Sequence, residues 1–415
     1  MRYFRDLGAD AHLLLFTNDG VGSLSHFRPD DDTFSIERWQ PYIHRTKIPN
    51  DPIASSGGLA FWLYDQYLRL RLKRAGTPHI LPFVRTKEVQ NTFRSYDRVV
   101  GSGIAPAVFA RIKQPLDIFF PYALGVEWYD CYEYQDYLKR PWYGKWIAAP
   151  AREMQAQGIK STRHILNAET GITETVLKKM GVDPKRLAIP MVYNGEPIPT
   201  DSPLPILAEL KRWLAGKDLS LFTSARLMWT DTGIEGDISR KNNHLTLLAL
   251  QKLKQEFPQK KLGMVAVEYG PDVDATRKLV GELGLADEMF WLAKSSRAVL
   301  MQALSLCDVA VGEFYFIPGT IWGGTGWEAL AMGKPLLQGF NFSVGEYEDK
   351  FGYPIPPALL PVAVADDIFP HLRTMLLDPA KRKKMGLAGK EWFDKYNGIS
   401  LAKEWLKLLL EPNLS

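Results

Sequence analysis

Short apolar runs alternate with stretches of helical periodicity along most of the chain, and few fold classes accommodate that pattern. Apolar runs at residues 11–16, 79–83, 98–101, 116–121, 164–168 and 187–190 predict strands in the first half. Runs at 219–224, 262–268, 289–292, 309–312 and 335–339 predict more in the second half, with helical patterns at 243–257, 273–283 and 296–306 among them. Strands buried on both faces read as unbroken apolar runs, so the alternation predicts an α/β protein with parallel sheets. Residues 193–205 have linker composition, with Asn194, Gly195, Pro197, Pro199, Asp201, Ser202 and Pro203. They divide the chain into expected domains 1–195 and 196–395. The tail at 388–410 reads as helix interrupted at Asn397-Gly398.

A length of 415 residues accommodates two domains, each with its own core. The composition is 46% hydrophobic, 24% charged and 12% aromatic, ordinary for a soluble globular protein. A formal net charge of +4 is too small to imply a nucleic-acid partner. No apolar run approaches the ~18 residues of a membrane helix, and no signal-peptide pattern opens the sequence. Cys131 and Cys307 read as buried thiols in a reducing compartment, so the expected location is cytoplasmic.

The segment from Trp322 to Pro335 carries the strongest chemical signal. Gly323, Gly324, Thr325 and Gly326 run into a helix bearing Glu328, which closes at Gly333 before Lys334-Pro335. A helix start offers free backbone N–H groups and a partial positive charge, and glycines let an anion approach closely. The plain alternative is a tight loop before a helix. Arg226 follows the strand at 219–224, and Lys241 opens the helix at 243–257 after a polar insert. Both lie at the sheet edge where α/β proteins bind ligands, and both suit a diphosphate, Arg as a fork and Lys as a point charge. Two further loops leave strands at that edge: Glu268 to Asp272, which contains Gly270-Pro271, and Ala293 to Ser296, which contains Lys294. They read as a Gly-Pro turn and an N-cap, or as backbone contacts to a nucleotide base.

In this order, Arg226, Lys241, Gly270-Pro271, Trp291-Leu292 and Gly323 to Pro335 resemble the donor-binding half of retaining glycosyltransferases of the GT-B fold, family-4-like. The segment from Ile189 to Asn194 resembles the end of that family's acceptor domain, and 393–410 its terminal helices. The resemblance implies two Rossmann-like domains facing a deep cleft, with a helix at 396–415 crossing back onto the first. It also implies that the N-terminal domain lacks its first strand and Gly-rich loop, because residues 1–7 already read as the end of a helix. Arg226 and Lys241 would hold the donor diphosphate and act on the leaving group. Gly323, Gly324, Thr325 and Gly326 would present the helix start, Glu328 would bind the ribose, and Gly270, Leu292 and Lys294 would line the base. No cofactor or metal is implied beyond a nucleotide-diphosphate sugar as donor. The partner would be a carbohydrate or lipid-linked acceptor in cell-envelope polysaccharide or glycolipid synthesis.

Two positions depart from the family pattern. Thr320 stands where the first glutamate of the family's Glu-x7-Glu motif is expected, with Glu313 in a longer loop as the alternative carboxylate. On the acceptor side, Ser102 and Tyr122 face the cleft where the family often has a His. The aromatic and basic segment 129–146 reads as a packed helix or as peripheral contact with a membrane surface.

Three other readings remain open. Gly101-Ser102-Gly103 partly matches a dinucleotide-binding turn and raises a nicotinamide-dependent oxidoreductase, but Pro106 replaces the third glycine. A nucleotide-sugar epimerase would share the fold and turn over donor without acceptor. A non-catalytic nucleotide-binding homologue would bind donor and leave it intact.

Overall fold

Every residue of Leu219–Thr223 and of Leu262–Val267 is buried. Such strands need cover on both faces, which a parallel sheet with crossover helices supplies. The computed structural model describes residues 1–15, 33–45, 86–103, 105–121, 153–168, 171–199, 204–230, 240–316 and 321–412. In chain order the strands of the first half are β1 (Leu13–Leu15), β2 (Ile43–Arg45), β3 (Val100–Gly101), β4 (Ile118–Phe119), β5 (His164–Asn167) and β6 (Lys185–Arg186). Those of the second are β7 (Leu219–Thr223), β8 (Leu262–Val267), β9 (Met289–Leu292), β10 (Val309–Val311), β11 (Leu336–Gly339) and β12 (Leu359–Val362).

The first half holds a parallel β1–β2 pair and a parallel sheet of order β3-β4-β5-β6. The second half forms one parallel sheet of order β12-β11-β10-β7-β8-β9. Alternate side chains of this sheet point to opposite faces. Phe222, Val265, Leu292 and Ala310 enter one core, while Leu221, Met264, Val309 and Leu337 enter the other. Strand order reverses between β7 and β10. In open α/β sheets the crevice beyond the carboxyl ends at such a reversal is where ligands bind.

Three differences from the sequence expectations have physical reasons. The run at 187–190 is extended chain after β6, where Leu187 N–H still donates to Asn167 O at 3.1 Å; Pro190 has no N–H to continue the ladder. β12 carries Pro361 in its middle, a residue that argues against a central strand, but β12 is an edge strand. β2 is a short strand that its polar sequence Ile43-His44-Arg45 concealed. The predicted strand at 79–83 lies outside the described residues.

The chain's end packs on its beginning. Helix Pro379–Tyr396 stops at Asn397, which is extended, and Gly398 at φ 53° starts helix Gly398–Leu410. In that helix Trp405 packs edge-on against Phe120 at 5.2 Å and donates to Ala188 O at 2.9 Å. Asn397 is fully buried because its amide is needed there: Nδ2 donates to Ile189 O at 3.2 Å, and Oδ1 accepts from Gly398 N at 2.8 Å. Helix Arg2–Asp6 joins the same junction, with Tyr3 OH donating to Val192 O at 2.7 Å. Among the described residues no helix is long and apolar enough to cross a membrane.

Candidate functional site

The loop after β7 is shaped by its neighbours at the switch point. Leu227 N–H donates to Tyr269 O at 2.7 Å, which ties the loops after β7 and β8 together. Gly270 sits in this contact at φ 128°, and a Cβ there would lie 2.2 Å from Leu227 O. Glycine is therefore required for the approach. Asp272 accepts from Thr230 N and Thr230 Oγ1, both at 2.8 Å, and from Trp229 N. Burial opposes ionisation of Asp272, but those hydrogen bonds outweigh it and hold its carboxyl below the ordinary range. Arg226 lies in this loop, half-buried, with no carboxylate partner among the described residues.

Lys241 bridges the two strands at the reversal. Its N–H donates to Met228 O at 2.6 Å, and its carbonyl accepts from Phe314 N at 3.0 Å. Its ammonium pairs with Glu313 Oε1 at 2.9 Å and also contacts the hydroxyl of Tyr315. Gln338 clamps the backbone of Glu313 from both sides, accepting from Glu313 N at 3.0 Å and donating to Glu313 O at 2.6 Å.

Helix Gly324–Ala331 begins beside this pair, with Gly323 as N-cap and, among the described residues, no side-chain hydrogen bond capping it. Among the described residues, a Cβ on Gly323 would meet only Glu313 Oε2, and one on Gly324 only Arg297 Nη2, each at 3.8 Å. Gly326 N–H already donates to Gly323 O at 3.1 Å, so Gly324 and Thr325 carry the first-turn N–H groups that, among the described residues, have no acceptor and suit an anion. Thr325 Oγ1 lies 3.2 Å from Ser224 Oγ, which seats the helix start over the end of β7. Glu328 is buried and pairs with Arg297, Nε to Oε1, at 2.6 Å.

Lys241, Glu313, Gly323, Gly324, Thr325 and Glu328 thus converge on one sheet edge. Arg226 shares it through the loop, with its Cγ facing Gly270. Two expected positions, Gly326 and Leu292, and the neighbouring Lys334 make contacts of other kinds. Gly326 is a packing glycine, because a Cβ there would fall 2.3 Å from Trp322 Cβ. Leu292 is fully buried and its carbonyl accepts from Glu268 N at 2.8 Å, which ties the loops after β8 and β9 together. Lys334 turns inward and donates to Ser305 O at 2.8 Å and Cys307 O at 2.6 Å; burial pushes its ammonium below the usual lysine range. Lys294 is at the edge but exposed, 5.2 Å from the Tyr269 ring. Ser102 follows β3 and its carbonyl accepts from Ala105 N at 3.1 Å. Thr320, Tyr122 and the segment 129–146 lie outside the described residues.

The turn after β3 has no free donor for a dinucleotide at Ala107. That first-turn N–H donates to Gln155 Oε1 at 2.9 Å, and Gln155 Nε2 donates to Gly103 O at the same distance.

No protein-family model and no curated protein matches the sequence. Solved structures do. Anabaena HepE in complex with UDP and glucose is similar at 14% identity and TM-score 0.52, over 80% of this chain and 82% of that one. A glycosyltransferase from Rickettsia africae aligns at 12% identity and TM-score 0.51, over 99% of this chain and 93% of that one. The N-terminal domain of Candida albicans trehalose-6-phosphate phosphatase aligns at 12% identity and TM-score 0.54, over 96% and 89%. The chain has the GT-B fold. A GT-B chain carries two parallel α/β units, as the sheets before and after residue 200 do here.

Sequence reading had missed Arg297, Tyr315, Gln338 and Ser224. Arg297 alone left a trace, a cation just after the Ser295-Ser296 cap, where a helix dipole favours an acid.

Proposed function

We propose that this GT-B protein is a retaining glycosyltransferase, family-4-like, using a nucleotide-diphosphate sugar and a hydroxyl acceptor. The observation that carries the reading is the Gly323-Gly324 helix start, uncovered among the described residues, beside the Lys241–Glu313 pair and the end of β7 that leads to Arg226, at the switch point of the six-stranded sheet. The bond from the sugar carbon to the diphosphate oxygen breaks, and a new one forms to the acceptor oxygen on the same face. The acceptor's proton passes to the departing diphosphate. Arg226, Lys241 and the helix N–H groups stabilise the charge developing on the phosphate, and Glu328 receives the ribose hydroxyls. The 1–195 half binds the acceptor, with Ser102 and Tyr122 on that side, and 196–395 binds the donor. The acceptor class is a cell-envelope polysaccharide or lipid-linked glycan, reached from the cytoplasm at the membrane surface.

Thermal-shift measurement with UDP, GDP, ADP and their sugars tests donor binding, because stabilisation scales with occupancy. One nucleotide family is expected to raise the Tm. The matching nucleotide sugar, supplied with hydroxyl acceptors, should give a product whose anomeric configuration is retained by NMR. An altered sugar formed without acceptor would assign an epimerase instead, and binding with neither transfer nor hydrolysis a non-catalytic homologue.

A further inference from the structure

Arg297 stands where local electrostatics disfavours it. It is the first residue of helix Arg297–Leu306, directly after the N-cap Ser296, and no acidic residue shares the first turn. The positive end of the helix repels a cation there. Its guanidinium reaches across to Glu328, with Nε 2.6 Å from Oε1. The acid is the inner partner, 10% exposed against 32% for the arginine side chain. Arg297 Nη2 also comes within 3.8 Å of the position a Cβ would take on Gly324, so the guanidinium borders the open helix start. A residue that breaks a local rule, with its compensation supplied from another element, marks a functional constraint.

We propose that Arg297 is a positioning residue that holds Glu328 as the acceptor for a ribose diol, which makes the site selective for ribonucleoside diphosphates. A carboxylate has about four lone-pair positions, so pairing with one guanidinium at Oε1 does not by itself exhaust its acceptor capacity. Without Arg297 the carboxylate loses a contact that fixes its orientation and must be ordered further at the moment of binding. The role rests on the reading of this edge as a nucleotide-sugar site. It differs from direct capture of the diphosphate, which Arg297 could also perform from beside Gly324.

Calorimetric titration of the full chain separates these roles. UDP, GDP and ADP are titrated first, and then the 2′,3′-dideoxy analogue of the tightest binder. Wild-type protein is expected to prefer the ribonucleotide by about tenfold or more, the value of hydrogen bonds to a charged group. Arg297→Gln is expected to lose about tenfold for the ribonucleotide and little for the dideoxy form, with Arg297→Lys partly restoring the difference. Equal losses on both ligands would assign Arg297 to the diphosphate and overturn the positioning role. A wild-type protein indifferent to the ribose hydroxyls overturns it without recourse to any variant. Binding of the nucleotides with an unchanged Arg297→Gln profile removes only this inference, whereas a wild type that binds none of them removes the donor-site reading with it.

Discussion

Lys241 Nζ lies 2.9 Å from Glu313 Oε1, and the two residues come from different loops at the reversal of strand order. The side chains are 14% and 15% exposed, so each neutralises the other in a setting where an unpaired charge is costly. On the proposed function, an arriving diphosphate competes with Glu313 for Lys241. On that reading the pair opposes binding while it preserves the fold.

Glu313→Gln is expected to tighten nucleoside diphosphate binding by about tenfold, the scale of a hydrogen bond between charged groups. Isothermal titration with the preferred nucleotide measures it. Weaker binding of the nucleotide would count against competition for Lys241.

Arg226→Ala and Lys241→Ala should each lower turnover by ~10²-fold or more, by analogy with loss of one transition-state hydrogen-bond donor. Their stabilities should diverge. Lys241→Ala leaves Glu313 without its cation and lowers the Tm, whereas Arg226 has no carboxylate partner among the described residues to strand. Steady-state kinetics with melting curves check both halves, and near-wild-type turnover in the two variants would sink the electrostatic mechanism.

The glycines of the helix start should separate by role. Gly326→Ala drives a methyl into Trp322 and is expected to destabilise the protein by ~1–3 kcal/mol. Among the described residues the new methyl of Gly324→Ala meets nothing closer than 3.8 Å, so it should leave stability unchanged or raise it by up to ~1 kcal/mol while weakening nucleotide binding. Urea denaturation beside nucleotide titration reads the two effects independently.

Stability should fall in two steps on acidification. His244 stacks on Trp229 at 4.7 Å, and burial, aided by the Arg240 charge, lowers its pKa from the ordinary imidazole value. Below roughly pH 6.5 the unfolded chain protonates this residue before the folded one does, so stability is lost as the pH drops. The depressed Asp272 carboxyl gives the second step: its contribution is complete above the ordinary carboxylate pKa and disappears as pH falls through its folded value. Denaturant midpoints between pH 8 and 3 should show both, and Asp272→Asn should flatten the lower one.

Much of the second half was legible in the sequence. β9 falls on the predicted run at 289–292, and β7, β8, β10 and β11 differ from their predicted runs only at the ends. Unbroken apolar runs are what two-sided burial requires, so composition and position coincide there. Helix starts were legible for the same local reason, since Ser296 caps Arg297–Leu306 and Gly323 precedes Gly324–Ala331. Short strands of the first half were harder, because β2 and β6 are polar and owe their conformation to pairing with β1 and β5.

What the sequence determined by itself was the α/β class and the placing of Arg226, Lys241 and the Gly323-Gly324 helix start near carboxyl ends of strands. Those are consequences of periodicity and capping, which act within a few residues. Only the tertiary structure decided the partners. It set Glu313 against Lys241, Arg297 against Glu328 and Trp322 against Gly326, and it turned Lys334 away into the carbonyls of Ser305 and Cys307. Charges and close contacts of this kind depend on which loops the strand order brings together. Beside Lys241 and Glu328 the order decides whether a charge awaits a ligand or already holds a neighbour.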